Sequence, residues 1–287
     1  MKKYIALLLA LMLLAVCFAG CVASNPADDT QGTTENTTEA AADDTTGGTE
    51  EVPEGSDLAY VLDNGKLVVG ITEYEPMDYK DENGEWTGFD AELARLFAKE
   101  LGVECEFFVL GDWGKKFFEL EAKNIDCVWN GMTITDEAKA NSSVSDPYVI
   151  NAQVVVMKAD RVTDYLDALG MKELTVAVEE GSAGQTVAEK NKLKTVAKQD
   201  QAGALLEVAS GTADACVIDI TMANAMTGKG TDYADLEQGI TLSEEQYGVS
   251  FREESNLTAK LNQFLKDLKA DGTLQKLAEK YELTLAE

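Results

Sequence analysis

From residue 58 onward, short apolar runs alternate with segments whose apolar residues recur every three or four positions. That alternation predicts an α/β architecture with largely parallel sheets. Lys66 to Ile71 is a compact β-branched run. The segment Phe89 to Leu101 places residues 89, 93, 96, 97 and 101 on one helical face, and Gly102 supplies the stop. A strand over Val103 to Leu110, a helix from about Gly114 to Ala122 and a strand over Ile125 to Trp129 complete a first set. After a long strand, Gln153 to Lys158, a second set follows: strand Leu174 to Val178, helix Ala183 to Asn191, strand Thr195 to Ala197, helix Ala202 to Ala209 and strand Ala213 to Ile218.

The two sets resemble each other. In each, a helix ends, an aspartate follows (Asp126, Asp214), a buried strand runs, and polar or glycine residues come next: Asn130-Gly131-Met132-Thr133 in the first, Asp219-Ile220-Thr221 in the second. Two similar α/β units imply two lobes, and ligands bind beyond the ends of parallel strands, so the cleft between lobes is the expected site. The C-terminal stretch reads as amphipathic helix, Asn256 to Ala270 and Thr273 to Tyr281, broken at Asp271-Gly272. A strand over Tyr247 to Phe251 is expected to carry the chain back to the first lobe.

The N-terminal residues follow another logic. Lys2 and Lys3 precede an apolar run from Tyr4 to Val16, long enough for the core of an export signal but short for a membrane span. The run ends at Phe18-Ala19-Gly20-Cys21, which resembles a bacterial lipobox; residues 1–20 are expected to be removed and Cys21 to carry lipid. From Val22 to Asp57 there are ten acidic residues, no Lys or Arg and few large apolar side chains. Such a stretch buries too little surface to offset its ordering, so residues 21–57 are expected to form a disordered acidic tether.

Composition then narrows the chemistry. The 287 residues include 52 acidic and 24 basic side chains, for a formal net charge of -28, and no histidine. The acidity argues against nucleic acid, which requires clustered Lys and Arg. The missing histidine removes the usual general base, the usual zinc ligand and every Ser-His or Cys-His pair. Cys105, Cys127 and Cys216 remain after the leader, an odd number without CxxC spacing, so neither a disulfide framework nor a metal site is expected. Nothing calls for a cofactor, and no GxSxG, HExxH, P-loop or GxGxxG sequence is present.

The stretches Gly88-Phe89-Asp90-Ala91-Glu92-Leu93-Ala94, Ile125-Asp126, Gly131-Met132-Thr133-Ile134-Thr135-Asp136-Glu137 and Ser145-Asp146-Pro147-Tyr148 resemble the bacterial extracellular solute-binding proteins of the polar amino-acid uptake family. Tyr247-Gly248-Val249-Ser250-Phe251-Arg252 and Leu268-Lys269-Ala270-Asp271-Gly272-Thr273-Leu274 continue the likeness, which spans 58 to 285 in order. It implies a two-lobed periplasmic-binding-protein-like fold with two hinge strands, the first lobe from 58–152 plus 246–287 and the second from 153–245. It also implies a monomeric, membrane-anchored, extracytoplasmic carrier that closes on an amino acid or small amine and delivers it to the permease of an ABC importer.

Residue by residue, the resemblance places ligand-stacking aromatics at Tyr74 and Trp113 and a carboxylate contact at Gly131 and Thr133 beside Asn130. It places a second-lobe anion contact at Ser182, at the start of a helix whose free N–H groups suit a carboxylate, and a partner for the α-amino group at Asp219. One position departs: where the family carries an arginine that clamps the carboxylate, this chain has Ala138, and Arg95, Arg161 and Arg252 fall elsewhere. The ligand is then an amino acid held by hydroxyl and backbone groups alone, or a net cationic ligand drawn by Asp219, Glu73 and Glu179 and faced by Tyr74, Trp113 and Trp129. Two rivals stand beside a carrier: a ligand-sensing lipoprotein without transport, and a small-acid lyase of the same fold.

Overall fold

The computed structural model describes residues 52–287. The expected export signal, the lipidation site Cys21 and most of the acidic tether lie outside the described residues. Asp57, placed by composition in the tether, instead opens helix α1 (Asp57–Asn64), capped by the Ser56 hydroxyl, which accepts the N–H of Ala59. Strand β1 (Lys66–Ile71) follows, then the short hairpin β2 (Tyr79–Lys80) and β3 (Trp86–Thr87), helix α2 (Phe89–Leu101) and strand β4 (Glu104–Val109). Gly102 ends α2 in the left-handed region and donates back to Ala98, as its position in the sequence predicts. A single 3-10 turn at Trp113–Lys115 leads into α3 (Lys116–Glu121), then β5 (Cys127–Val128), α4 (Asp136–Asn141) and β6 (Ser143–Val144).

The long strand β7 (Val149–Lys158) leaves this lobe. Beyond it come β8 (Thr175–Glu179), α5 (Ala183–Lys190), β9 (Lys194–Lys198), α6 (Gln201–Ser210), β10 (Ala215–Asp219) and α7 (Ile220–Met226). Strand β11 (Leu236–Tyr247) runs back antiparallel to β7, with Leu236 opposite Lys158 and Tyr247 opposite Val149. These two strands are the hinge. Strand β12 (Ser250–Phe251) and helices α8 (Leu257–Ala270) and α9 (Thr273–Lys280) return to the first lobe.

The sequence predicts one return strand over Tyr247 to Phe251, but β11 and β12 are separated at Gly248, whose N–H donates to the Met132 carbonyl. A Cβ on Gly248 would sit 2.9 Å from the Ile134 side chain, so the chain bends there under close packing.

Each lobe has a five-stranded sheet, ordered β4-β1-β5-β12-β6 in the first and β11-β7-β10-β8-β9 in the second. In both, the parallel strands put the first of the set between the second and third, and an antiparallel strand, β12 or β7, pairs with the third. The carboxyl ends of β5 and β10 therefore arrive at equivalent places, carrying Asn130-Gly131 and Asp219.

In the first lobe, α2 and α8 bury Phe97 and Phe264, whose ring centroids are 5.3 Å apart, and Trp129 packs edge-on to Phe97 at 6.1 Å. Cys127 and Cys216 are buried and Cys105 is half-buried; burial pushes the Cys105 thiol up to about 12, so the three cysteines pack as small apolar groups. No described helix is long and apolar enough to cross a membrane.

Candidate functional site

The carboxyl ends of the parallel strands open onto a cavity of about 270 Å³ between the lobes, and all seven expected ligand residues line it: Tyr74, Trp113, Asn130, Gly131, Thr133, Ser182 and Asp219. Trp129 does not. It is wholly buried in the first-lobe core against Phe97, so the expectation that it offers a cation-binding face is corrected: the strand's alternation turns it inward.

The first lobe builds its wall from two loops locked together. Tyr74 and Asp78 exchange backbone hydrogen bonds across a tight turn, at 2.6 and 2.8 Å. Asn130, just past β5, accepts the Thr72 N–H and hydroxyl and donates to the Thr72 carbonyl and, at 2.7 Å, to Asp78. The Gly131 N–H donates to Asp90 at 2.6 Å, and Tyr148 donates its hydroxyl to the same oxygen. Burial raises both carboxyls, Asp78 well above the ordinary range with Asp90 adding repulsion, and Asp90 to about 7. Gly131 has φ of +54°, and a Cβ there would meet Tyr74 Cε1 at 2.6 Å; only glycine lets the loop close under the aromatic ring.

The second lobe contributes charge. Asp219 ends β10 and is 3% exposed. Its carboxylate accepts from Gln153 at 2.5 Å and from the side-chain amides of Asn151 and Gln201. Asn151 and Gln153 sit two apart on β7 and share one face of an otherwise apolar strand. Both also donate to Glu245 on β11, which accepts the Thr133 hydroxyl at 2.9 Å. Burial raises all three nearby carboxyls: Asp219, Glu179 well above its ordinary value, and Glu245 to about 7, the latter two further raised by Asp219.

Contacts close the cavity at its edges. The Tyr74 hydroxyl lies 2.5 Å from both the Thr221 and Tyr247 hydroxyls, tying the first-lobe loop to α7 and the end of β11. Lys116 Nζ donates to the Gly181 carbonyl at 3.4 Å. Gly181 has φ of +71°, and a Cβ there would come within 2.6 Å of Gly114 Cα, so the lobes meet backbone to backbone. Next to it, the Ser182 hydroxyl accepts the Gln185 N–H and caps α5, whose first-turn N–H groups have no intrahelical partner.

The sequence left several cavity residues unnamed: Lys116, Gln153, Gln201 and, behind Thr133, Glu245. Two amides spaced i, i+2 in the apolar run of β7 were the available signal for a polar face on that strand. None of the three arginines lines the cavity. Arg95 donates to the Trp86 carbonyl, Arg161 lies against Asp164 and Tyr165, and Arg252 pairs with Asp57 and Asp126. Ala138 is buried in the cavity wall, where its position leaves only a methyl group.

Known proteins place this arrangement. The chain is 32% identical to the arginine-binding extracellular protein ArtP of Bacillus subtilis, over 75% of this chain and 86% of ArtP. It is 30% identical to the lysine/arginine/ornithine-binding periplasmic protein of Escherichia coli, over 73% and 84%. A crystal structure of a variant of ArgBP from T. maritima superposes with a TM-score of 0.73 at 33% identity, covering 78% of this chain and 98% of that one. Residues 67–284 match the family described as bacterial extracellular solute-binding proteins, family 3, and the chain belongs to that family.

Proposed function

We propose that the protein binds a cationic amino acid, of the arginine and lysine class, in the interlobe cavity and delivers it to the permease of an ABC importer. The observation that carries this reading is the acidic lining of the wall, where among the described residues the carboxyl groups of Glu73, Asp136, Glu137, Glu179 and Asp219 face a single lysine, and a cationic ligand favours the ionised form of those that burial raises. A neutral amino acid brings no net charge to offset them, whereas a second cationic group does. In this reading Asp219 holds the α-amino group, Ser182 faces the α-carboxylate with Thr133 and Gly131 beside it, the Thr133 hydroxyl turning from Glu245 to the ligand while the Gly131 N–H stays on Asp90, and Tyr74 and Trp113 stack on the side chain. Relatives named for arginine, lysine and ornithine binding support it, and their being binding proteins supports a carrier in place of a catalyst. Lipidation at Cys21 would hold a monomeric carrier at the outer face of the membrane.

Thermal shift across the amino acids tests the ligand class. A ligand present at about a thousand times its Kd adds about 4 kcal/mol of stability. Stabilisation by L-arginine, L-lysine or L-ornithine is expected; stabilisation by neutral or acidic amino acids with no response to the cationic ones would overturn it.

A further inference from the structure

Lys116 is the cation of the cavity wall. It opens α3 one turn after Trp113, so the same short segment supplies a ring and an ammonium to the site. The residue is only 6% exposed, yet among the described residues no carboxylate pairs with it directly. Nζ lies 4.8 Å from the centre of the Trp113 ring and donates two long bonds, 3.3 Å to the Trp113 carbonyl and 3.4 Å to the Gly181 carbonyl. An ammonium has three N–H donors, so one remains for another acceptor. Burial pulls the Lys116 pKa down, and Glu137 and Glu179 act against that pull from a distance. A buried cation without an adjacent anion is costly unless an anion joins it.

The place where an anion would join it is marked from both lobes. The Gly181 carbonyl that Nζ touches immediately precedes Ser182, the cap of an eight-residue helix whose first-turn N–H groups border the cavity. Ala138 lines the same cavity and leaves the wall there without a guanidinium.

We propose that Lys116 is the carboxylate-recognising cation of this site, reaching the ligand from α3 in place of an arginine at Ala138, and that it makes the protein select amino acids over the corresponding amines. This rests on the amino-acid reading above. A point-charge ammonium replaces a bidentate fork, so recognition by Lys116 depends on charge more than on the orientation of the carboxylate plane.

Calorimetry with L-arginine against agmatine, and L-lysine against cadaverine, separates the carboxylate from the rest of the ligand. The wild-type protein is expected to bind at least one of these amino acids tenfold or more tightly than its amine. Lys116→Gln should weaken the amino acid tenfold or more, leave the amine within about twofold, and so bring the ratio towards one. Lys116→Met, which keeps the apolar stem, is read the same way if the glutamine variant does not fold. Adding Ala138→Arg to Lys116→Gln should recover part of the preference.

If the variants keep the wild-type ratio, because both ligands are unaffected or both weaken together, Lys116 only latches the lobes through Gly181 and the proposal fails while the amino-acid reading stands. If the wild-type protein binds none of the four compounds and L-ornithine does not stabilise it either, both readings fall.

Discussion

In each lobe an aspartate at the head of the third parallel strand clasps the first strand. Asp126 donates its N–H to the Val68 carbonyl and accepts the Val68 N–H at 2.9 Å; Asp214 does the same with Thr175, at 2.8 Å. The clasp is the same but its setting is not. Asp126 is buried and also accepts from Arg252 at 2.9 Å, while Asp214 is exposed and lacks a comparable ion pair among the described residues. Arg252 in turn reaches Asp57 on α1 and the Ile125 carbonyl, tying three segments of the first lobe together. At the opposite ends of these strands the contrast reverses: the first lobe offers Asn130 and Gly131, which do not titrate, and the second offers the carboxyl group of Asp219. Duplicated topology thus gives one lobe a buried ion pair as a brace and the other a buried carboxyl group facing the cavity.

Removing the clasp tests the brace first, because it has the largest expected effect. Asp126→Ala strands a buried guanidinium beside its remaining partner and should cost about 3 kcal/mol or more in urea unfolding. Asp214→Ala loses one exposed hydrogen bond to a carboxylate and should cost about 1 kcal/mol. Equal costs would show that the ion pair adds nothing and that the lobes are braced alike.

The same contrast explains what could be read from the sequence. Helix α2 was legible because Phe89, Leu93, Leu96, Phe97 and Leu101 face a core and Gly102 stops the helix, so local and tertiary signals agree. Strand β11 was not, since the run Leu236–Tyr247 buries little besides its ends and takes its shape from pairing with β7. Helix α4 buries only Ala138 and depends on the Thr135 cap, which leaves no periodicity to find.

Among the cavity residues, Tyr74, Trp113, Gly131, Thr133, Ser182 and Asp219 are named by the family resemblance; a turn glycine, a strand-end threonine or a helix-capping serine carries little signal of its own. Glu245 could not be separated from many solvated acids, because its position opposite Thr133 exists only after β11 has crossed back. Lys116 reads as an ordinary helix lysine until Gly181 arrives from the other lobe.

Next in size is the binding charge itself. Asp219→Asn removes the anion that three amides orient, and affinity for L-arginine should fall about a hundredfold, or about 2.8 kcal/mol. Isothermal calorimetry reads this directly, and a change of less than threefold would move the α-amino contact away from Asp219. Trp113→Ala is the first-lobe counterpart. Losing one stacking face should weaken binding about tenfold, near 1.4 kcal/mol, and an unchanged Kd would remove Trp113 from the ligand contact.

The smallest effect is a dependence on pH whose sign differs between the free and liganded protein. Glu245 titrates at about 7 and Asp219 and Glu179 are raised with it; burial is the main cause for each. Around them stand Thr133, Asn151, Gln153 and Gln201, which do not titrate, Tyr74 and Tyr247, which burial keeps neutral, and Lys116 across the cavity. Because the folded pKa values lie above the unfolded ones, the folded chain holds more protons than the unfolded chain, for Glu245 between about pH 4 and 7. The stability that Glu245 contributes is therefore fully present at low pH and is lost as pH rises through about 7, and Asp219 and Glu179, raised in the same direction, add slopes of the same sign. Asp90, also near 7, adds a slope of the same sign from the first lobe.

A cationic ligand acts oppositely: it favours the ionised carboxylates, so binding releases protons and affinity rises with pH. Between pH 6 and 8 the ligand-free melting temperature should fall while the affinity for L-arginine increases about threefold to tenfold. Glu245→Gln should flatten the affinity profile and leave the Asp90 part of the stability slope in place, which assigns the binding response to the second lobe. An affinity that rises on acidification would mean that the ligand's positive charge does not sit against this cluster.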